Sequence, residues 1–347
     1  MLGICFESVE KVAVCEIPDP VILDDRDVIV DVTMAGLCGS DLHPFFGRES
    51  GLDAGTVMGH ELVGFVSQAG SAIKNLKEGD RVCAPFTTNC GDCFYCRSGL
   101  TSRCVAGELF GWRSNGEGLH GCQSQRVRVP LGDSTLAKVP DGMSNETALL
   151  LGDNLSTGYF AAEMAAINPA GTYVVIGCGT VGLLAIQWAV RMGAESIVAV
   201  DLVESRLAIA RDLGAKTFSD PAAAIACVMD KTDGRGADAV MELVGLPSAQ
   251  ELAFQIVRPG GILSVIGCHC TPNFTFSPND AYDKNLTYRT GRCPARHYMS
   301  ALANELQSDP PDTTWCISHR FQIEQGVNAY DVFANRKDGC VKAVVEF

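Results

Sequence analysis

The sequence predicts a two-domain α/β protein: a β-rich domain plus a doubly wound parallel-sheet domain. Three observations predict it. The chain has 347 residues, enough for two domains of ordinary size. Up to about residue 150, short apolar runs such as Val28 to Met34, Leu62 to Val66 and Gln125 to Val129 are punctuated by Gly, Pro and Asp, the texture of strands and turns. From about Gly158, β-branched runs alternate with helical stretches, which implies parallel strands joined by crossover helices.

Composition narrows the function classes. With 47% apolar residues, burial is not limiting. The excess of 41 acidic over 27 basic side chains, a net charge of -14, argues against nucleic acid or an anionic membrane as partner. Sixteen cysteines in a chain of this length, with no signal-peptide pattern at the N-terminus, do not suggest a disulfide framework, so a reducing, cytoplasmic setting is expected. The uncharged stretch from Met164 to Val190 is long enough to be mistaken for a membrane span. Pro169, Gly171, Gly177, Gly179 and Gly182 interrupt it, and it reads as a buried strand and helix.

In the first domain, two cysteine-containing sets stand out. Cys38-Gly-Ser40-Asp41-Leu-His43, Gly59-His60-Glu61 and Gly152-Asp153 supply a thiolate, an imidazole and a carboxylate. Brought together by folding, Cys38, His60 and Asp153 would hold zinc with a fourth position open, as catalysis needs. Spacing alone does not show that they converge. Each also has a structural reading: Cys38 as a small buried residue, His60 as a core histidine, Asp153 as a helix cap. The second set, Cys90, Cys93, Cys96 and Cys104, is written C-x2-C-x2-C-x7-C with Gly91 and Gly99 at the bends. Four thiolates close a tetrahedral shell and leave no room for substrate, so this zinc is expected to be structural.

The second domain opens on Thr172 to Asp201. The run Tyr173 to Ile176 enters Gly177-Cys178-Gly179-Thr180-Val181-Gly182, a helical stretch follows, and a second apolar run, Ile197 to Val200, ends in Asp201. Strand, glycine turn, helix and strand in this order form a dinucleotide-binding motif. The first glycine allows the bend, the second lets backbone N–H groups approach a pyrophosphate, and the third lets helix and strand pack closely. The phosphates then face a helix N-terminus. A carboxylate at Asp201 accepts hydrogen bonds from a ribose and repels a ribose phosphate, which favours NAD over NADP. Beyond it, Arg206 to Leu213 reads as a helix, Ala237 to Glu242 as a strand, Ala249 to Val257 as a helix closed by Pro259-Gly260-Gly261, and Ile262 to Ile266 as a strand. After about Cys293 the alternation fades, and the segment ending in Val341 to Phe347 is expected to return to the first domain.

These motifs, in this order, make the sequence similar to the zinc-dependent alcohol dehydrogenases of the medium-chain dehydrogenase/reductase superfamily. The resemblance covers essentially the whole chain, including Gly152-Asp153-Asn-Leu-Ser-Thr-Gly158-Tyr. It implies a GroES-like catalytic domain over residues 1–154, a Rossmann NAD-binding domain over 155–292 and a return segment over 293–347. It implies two zinc ions per subunit. Cys38 and His60 match two catalytic ligands. Asp153 stands where liver-type members carry cysteine and the glutathione-independent formaldehyde dehydrogenases carry aspartate. Glu61 matches an acid that approaches the metal in relatives, and is read here as lying behind the ligands. Ser40 and His43 match a proton relay, Arg206 a basic residue beside the adenosine ribose, and Lys342 a basic residue on the pyrophosphate.

The activity implied is reversible NAD-linked oxidation of an alcohol to an aldehyde or ketone by a dimer or tetramer. The alcohol oxygen would take the open zinc position, zinc would stabilise the alkoxide, and Ser40 and His43 would carry the proton away. Within the superfamily, formaldehyde, polyol and threonine dehydrogenases remain alternatives: Asp153 leans toward the first, and Arg292 in Thr290-Gly-Arg-Cys-Pro resembles the third. A non-catalytic zinc- and nucleotide-binding regulator is the alternative from another class. It has no need for Cys38, Ser40, His43, His60 and Asp153 together. Phe45, Phe46, Trp112 and Asn154 are candidates to line the pocket. His269, between Cys268 and Cys270, is read as lining the cofactor site or as incidental.

Overall fold

Val28–Gly36, with the sequence VIVDVTMAG, is the strand on which the first half of the chain is assembled. The computed structural model describes residues 1–347, Asn304 by its backbone alone. It divides into two units, Met1–Ser156 with Pro294–Phe347, and Thr157–Cys293. In the first unit Leu62–Ala69 runs antiparallel along one edge of Val28–Gly36, while the other edge is shared by Arg126–Val129 and Lys342–Glu346. Ile317–Gln322 extends the sheet on one side, Arg81–Ala84 and Ala137–Lys138 on the other. Side chains alternate across a strand. Val28, Val30 and Val32 accordingly meet Leu62, Val66, Val82 and Val127 in one core, and a second core gathers Ile4, Leu37, Phe45, Tyr330 and Phe333. The segment from Lys342 is thus a strand of the first unit. Where the sequence pattern fades after Cys293, the structure has a 14-residue helix, Ala295–Ser308.

The second unit is a six-stranded sheet, parallel throughout. Thr172–Ile176, Ser196–Val200 and Lys216–Phe218 run outward to one side, and Ala237–Glu242, Val257–Val265 and Thr287–Thr290 to the other. Numbered along the chain the order is 3-2-1-4-5-6, so the connections reverse direction between Thr172–Ile176 and Ala237–Glu242. Ligands of such sheets bind at the carboxyl ends of the strands at this switch point. The central strand Thr172–Ile176 is buried over its whole length. Two elements differ from expectation. The helix expected from Arg206 starts at Glu204. The helix expected over Ala249 to Val257 spans Pro247–Ile256, and Val257 already begins the next strand. Gly260 takes a φ of +70° inside that strand, where the pairing register shifts, so the glycines make an irregularity in a strand and not a helix end. Among the described residues no helix is long and apolar enough to cross a membrane.

Candidate functional site

From Gly36 the chain runs through Leu37 and Cys38 into a tight turn, Gly39–Asp41, and a one-turn helix, Leu42–Phe45. Asp41 fixes that turn, since its Oδ2 accepts the Cys38 backbone N–H at 2.9 Å. Its Oδ1 lies 3.0 Å from Nδ1 of His60 and orients the ring. His60 follows Gly59, whose φ of +86° suits glycine and whose missing side chain leaves space for Gln123. Asp153 closes the helix Asn145–Gly152. A Cβ at Gly152 would stand 2.3 Å from the Ala84 carbonyl, so glycine is what lets the helix end lie against the strand Arg81–Ala84.

Three elements thereby deliver three donors to one place. Asp153 Oδ2 lies 3.3 Å from His60 Nε2 and 3.4 Å from Cys38 Sγ. Donors held at zinc's bond lengths in tetrahedral geometry sit about 3.3 to 3.7 Å apart, so the spacing fits the ion. The charges fit as well. Burial lowers the His60 pKa, but the carboxylates of Asp41 and Asp153 outweigh it and hold the ring well above its ordinary value. Burial likewise raises Asp153, yet the hydrogen bond from His60 brings it to about 2. Burial and then Asp153 push the Cys38 thiol up. A thiol and two carboxylates around one imidazole form a pocket that favours added positive charge, which a divalent cation supplies.

Glu61 joins the same cluster, with one donor atom from each of Cys38, His60, Glu61 and Asp153 lying within 4.8 Å of the others. Its oxygens, however, are held from behind. Lys342 Nζ lies 2.6 Å from Oε1 and 2.5 Å from Oε2, and donates also to the Leu37 carbonyl at 3.1 Å. Two of the three ammonium hydrogens go to Glu61 Oε1 and the Leu37 carbonyl, while Oε2, close to Nζ, accepts no hydrogen bond. Lys342 is 1% exposed. Lys342, expected on a pyrophosphate, is in the structure the buried counter-ion of Glu61. A Cβ on Gly36 would stand 1.9 Å from Glu61 Oε2, so the strand end is glycine where the carboxylate needs its space. Asn154 completes the cluster, with Nδ2 3.0 Å from both Glu61 Oε1 and Asp153 Oδ2.

Ser40 is exposed and its Oγ lies 3.3 Å from His60 Nε2, the ring nitrogen facing Asp153. His43 stands on the one-turn helix just after it and is buried. Burial, and then the charge of Arg48, lower its pKa. Phe86 packs edge-on against the His60 ring, with centroids 6.3 Å apart. Phe45, by contrast, lies in the core against Phe46 and Tyr330. Sequence reasoning gave no role to Asp41, Gln123 or Phe86. For Asp41 a signal existed: a carboxylate three residues after the ligand cysteine can cap the turn and still face the histidine. Gln123 carried none; it bridges Asp41, the Gly36 carbonyl and Tyr330 from a loop remote in sequence.

The sulfurs of Cys90, Cys93, Cys96 and Cys104 also lie within 4.8 Å of one another. Four thiolates bonded to one zinc at about 2.3 Å sit roughly 3.8 Å apart, so the group fits a closed tetrahedral site. Backbone N–H groups serve the sulfurs: Cys90 donates to Cys104 Sγ at 3.1 Å and Cys93 to Cys90 Sγ at 3.4 Å. The amides of Cys96 and Val105 pull the Cys93 thiol down to about 6, which favours the thiolate that a metal requires.

In the second unit Gly177 takes a φ of +92°, and a Cβ on Gly182 would stand 1.9 Å from the Gly177 carbonyl. The helix Thr180–Arg191 thus lies so close to the turn that only glycine fits at position 182. No atom lies within 4 Å of a Cβ built on Gly179, which leaves room beside the first N–H groups of the helix, those of Thr180, Val181 and Gly182, for a phosphate. Asp201 Oδ2 accepts the Cys178 N–H at 2.7 Å and Oδ1 the Val203 N–H at 2.8 Å. The carboxylate is thus fixed beside the turn with lone pairs left for ribose hydroxyls. Arg206 lies half-buried in the first turn of the following helix. His269 Nε2 lies 2.8 Å from the carboxylate Oε2 of the fully buried Glu242, at the end of the strand beside the switch point.

Known proteins are similar to this chain in sequence and fold. Residues 24–141 match the alcohol dehydrogenase GroES-like domain and residues 180–308 the zinc-binding dehydrogenase model. The chain is 41% identical over 342 residues to zinc-type alcohol dehydrogenase B of Aspergillus flavus, covering 96% of this chain and 78% of that protein. It is 32% identical over 349 residues to an alcohol dehydrogenase of Cupriavidus necator, covering 95% and 93%. Among solved structures, alcohol dehydrogenase TADH from Thermus sp. ATN1 superposes with a TM-score of 0.91 at 35% identity, over 100% of this chain and 99% of that one.

Proposed function

The chain belongs to the zinc-dependent alcohol dehydrogenases of the medium-chain superfamily, with a GroES-like and a Rossmann-like domain, and from that premise we propose that it oxidises a small alcohol reversibly to an aldehyde or ketone with NAD. The observation that carries the reading is the meeting of Cys38, His60 and Asp153 at zinc-compatible spacing, with the exposed Ser40 hydroxyl beside them. Zinc held by these three residues supplies a Lewis acid that makes an alcohol proton acidic near neutral pH. Gly177, Gly179, Thr180, Val181 and Gly182, with Asp201 and Arg206 toward the ribose, would hold NAD, which would supply the hydride acceptor. Cys90, Cys93, Cys96 and Cys104 hold a second, structural zinc.

The protein's own part is alignment and proton removal. Ser40 Oγ would accept the alcohol proton as it releases its own, and His43 would take up that released proton and pass it to solvent. The lowered pKa of His43 keeps its ring neutral at pH 7 and therefore able to receive a proton. In His43→Gln, oxidation at neutral pH should slow by about 10²-fold and be partly restored by added imidazole. The parent rate should decline as pH falls through the His43 pKa, below the ordinary 6.5, because the ring then arrives already protonated. That acid limb should vanish from the variant's pH profile; an unchanged profile removes His43 from the relay.

Asp201→Gly tests the cofactor. Loss of the carboxylate removes the ribose acceptor and the repulsion of a 2′-phosphate together. The ratio of kcat/KM for NAD to that for NADP should fall by at least about tenfold. An unaltered ratio would show that Asp201 does not choose the cofactor. The working form is proposed to be a cytoplasmic homodimer or homotetramer. The experiment that tests the function as a whole is NADH formation across primary alcohols, secondary alcohols, polyols, threonine and formaldehyde, with zinc per chain measured on the same sample.

A further inference from the structure

We propose that Asn154 is a positioning residue that separates the roles of the two acids at the metal cluster, keeping Asp153 as a ligand and Glu61 as an uncoordinated partner of Lys342. The inference rests on the reading of Cys38, His60 and Asp153 as zinc ligands. Asp153 and Glu61 are both buried, both acidic and within reach of the same point. Like charges this close need a donor between them. Asn154 is that donor: its Nδ2 carries two hydrogens, and its two short contacts are Glu61 Oε1 and Asp153 Oδ2, each at 3.0 Å, with Cys38 Sγ more distant at 3.9 Å.

The Asp153 oxygen it meets is the same one that faces His60 Nε2 and Cys38 Sγ. The amide therefore steers the oxygen that serves the metal and, with its other hydrogen, restrains the acid that does not. Lys342 donates to Glu61 Oε1 and pairs in charge with Oε2, and the glycine at position 36 leaves the space that Oε2 fills. Asn154 is 1% exposed, and its Oδ1 has no hydrogen-bond partner. The carboxamide is thus oriented by its NH2 end alone, and an aliphatic side chain of similar volume would spare the fold an unmet acceptor. As the first residue of the helix Asn154–Met164, directly after Asp153, it takes its direction from the same backbone turn that aims the ligand.

The test uses the full-length protein with cobalt(II) in place of the catalytic zinc, read by its visible absorption spectrum and by competition with a chelator. Asn154→Leu should bind the catalytic metal about 10- to 100-fold more weakly. Its spectrum should lose intensity, because Glu61, released on one side, moves into the coordination sphere and raises the coordination number. The four-cysteine zinc should remain, and Asn154→Ala should behave in the same way should Asn154→Leu fold poorly. Adding Glu61→Gln to Asn154→Leu should bring back the intense four-coordinate spectrum, a rescue that a merely structural role of Asn154 does not predict. A variant with the parent's spectrum and the parent's metal affinity overturns the assignment of Asn154 alone. A parent protein that takes up only the four-cysteine metal overturns the zinc-ligand reading as well.

Discussion

Asp153→Asn should leave the protein folded and the proposed four-cysteine zinc in place while cutting turnover by orders of magnitude. The substitution changes almost no volume, and the amide can still accept from His60 and Asn154. What changes is charge. A Cys38 thiolate, an Asp153 carboxylate and a neutral His60 together balance a divalent ion, whereas an amide leaves a net positive charge in a buried pocket and donates more weakly to the metal. The expected composition is one zinc per chain, against the two expected of the parent. The Lewis-acid contribution is several kcal/mol, and about 4 kcal/mol corresponds to on the order of 10³-fold in kcat/KM. Measuring metal content and NADH production on one preparation checks both. Two zinc ions with full activity would take Asp153 out of the site.

Lys342→Met is the variant with the largest expected effect on stability. Methionine fills most of the lysine's volume and leaves the Glu61 carboxylate, which is 0% exposed, without its counter-ion. Removing one partner of a buried ion pair costs about 3–5 kcal/mol, because the other charge stays behind in a medium that cannot solvate it. The midpoint of denaturant unfolding should drop accordingly. Glu61→Gln in the same chain should return most of the loss, giving a coupling well above the ~0.5 kcal/mol scatter of independent sites. Had Lys342 been a pyrophosphate contact, the variant would instead keep its stability and bind NAD more weakly, so one pair of measurements separates the two roles.

That reassignment marks where the sequence stops being readable. The glycine turn was legible because all of its parts are local: Gly177, Gly179 and Gly182 lie within six residues, and the strand Thr172–Ile176 and helix Thr180–Arg191 flank them in the structure as in the pattern. The grouping of Cys90, Cys93, Cys96 and Cys104 was legible for the same reason. The meeting of Cys38, His60 and Asp153 was not contained in their spacing, since it depends on a strand end, a loop and a helix end brought together by sheet packing. It was reached through resemblance, and the geometry now supplies its physical basis. Lys342 shows the limit of that route. A basic residue can be matched by position, but which acid it faces depends on Gly36 being bare and on the last strand pairing with Val28–Gly36. Asn154, considered as a pocket residue, turned out to bond to the ligands themselves. Pro259-Gly260-Gly261 misled because glycine and proline mark an irregular strand as readily as a helix end.

The origin of that last strand matters for how the enzyme is made. A ribosome has synthesised Cys38, His60, Glu61 and Asp153 before it starts on the nucleotide-binding unit, but Lys342 comes only after that unit is complete. Until then a nascent chain carries a cluster of acids and a thiol lacking its resident cation. Glu61 therefore gains its counter-ion only when the strand Lys342–Glu346 docks against Val28–Gly36.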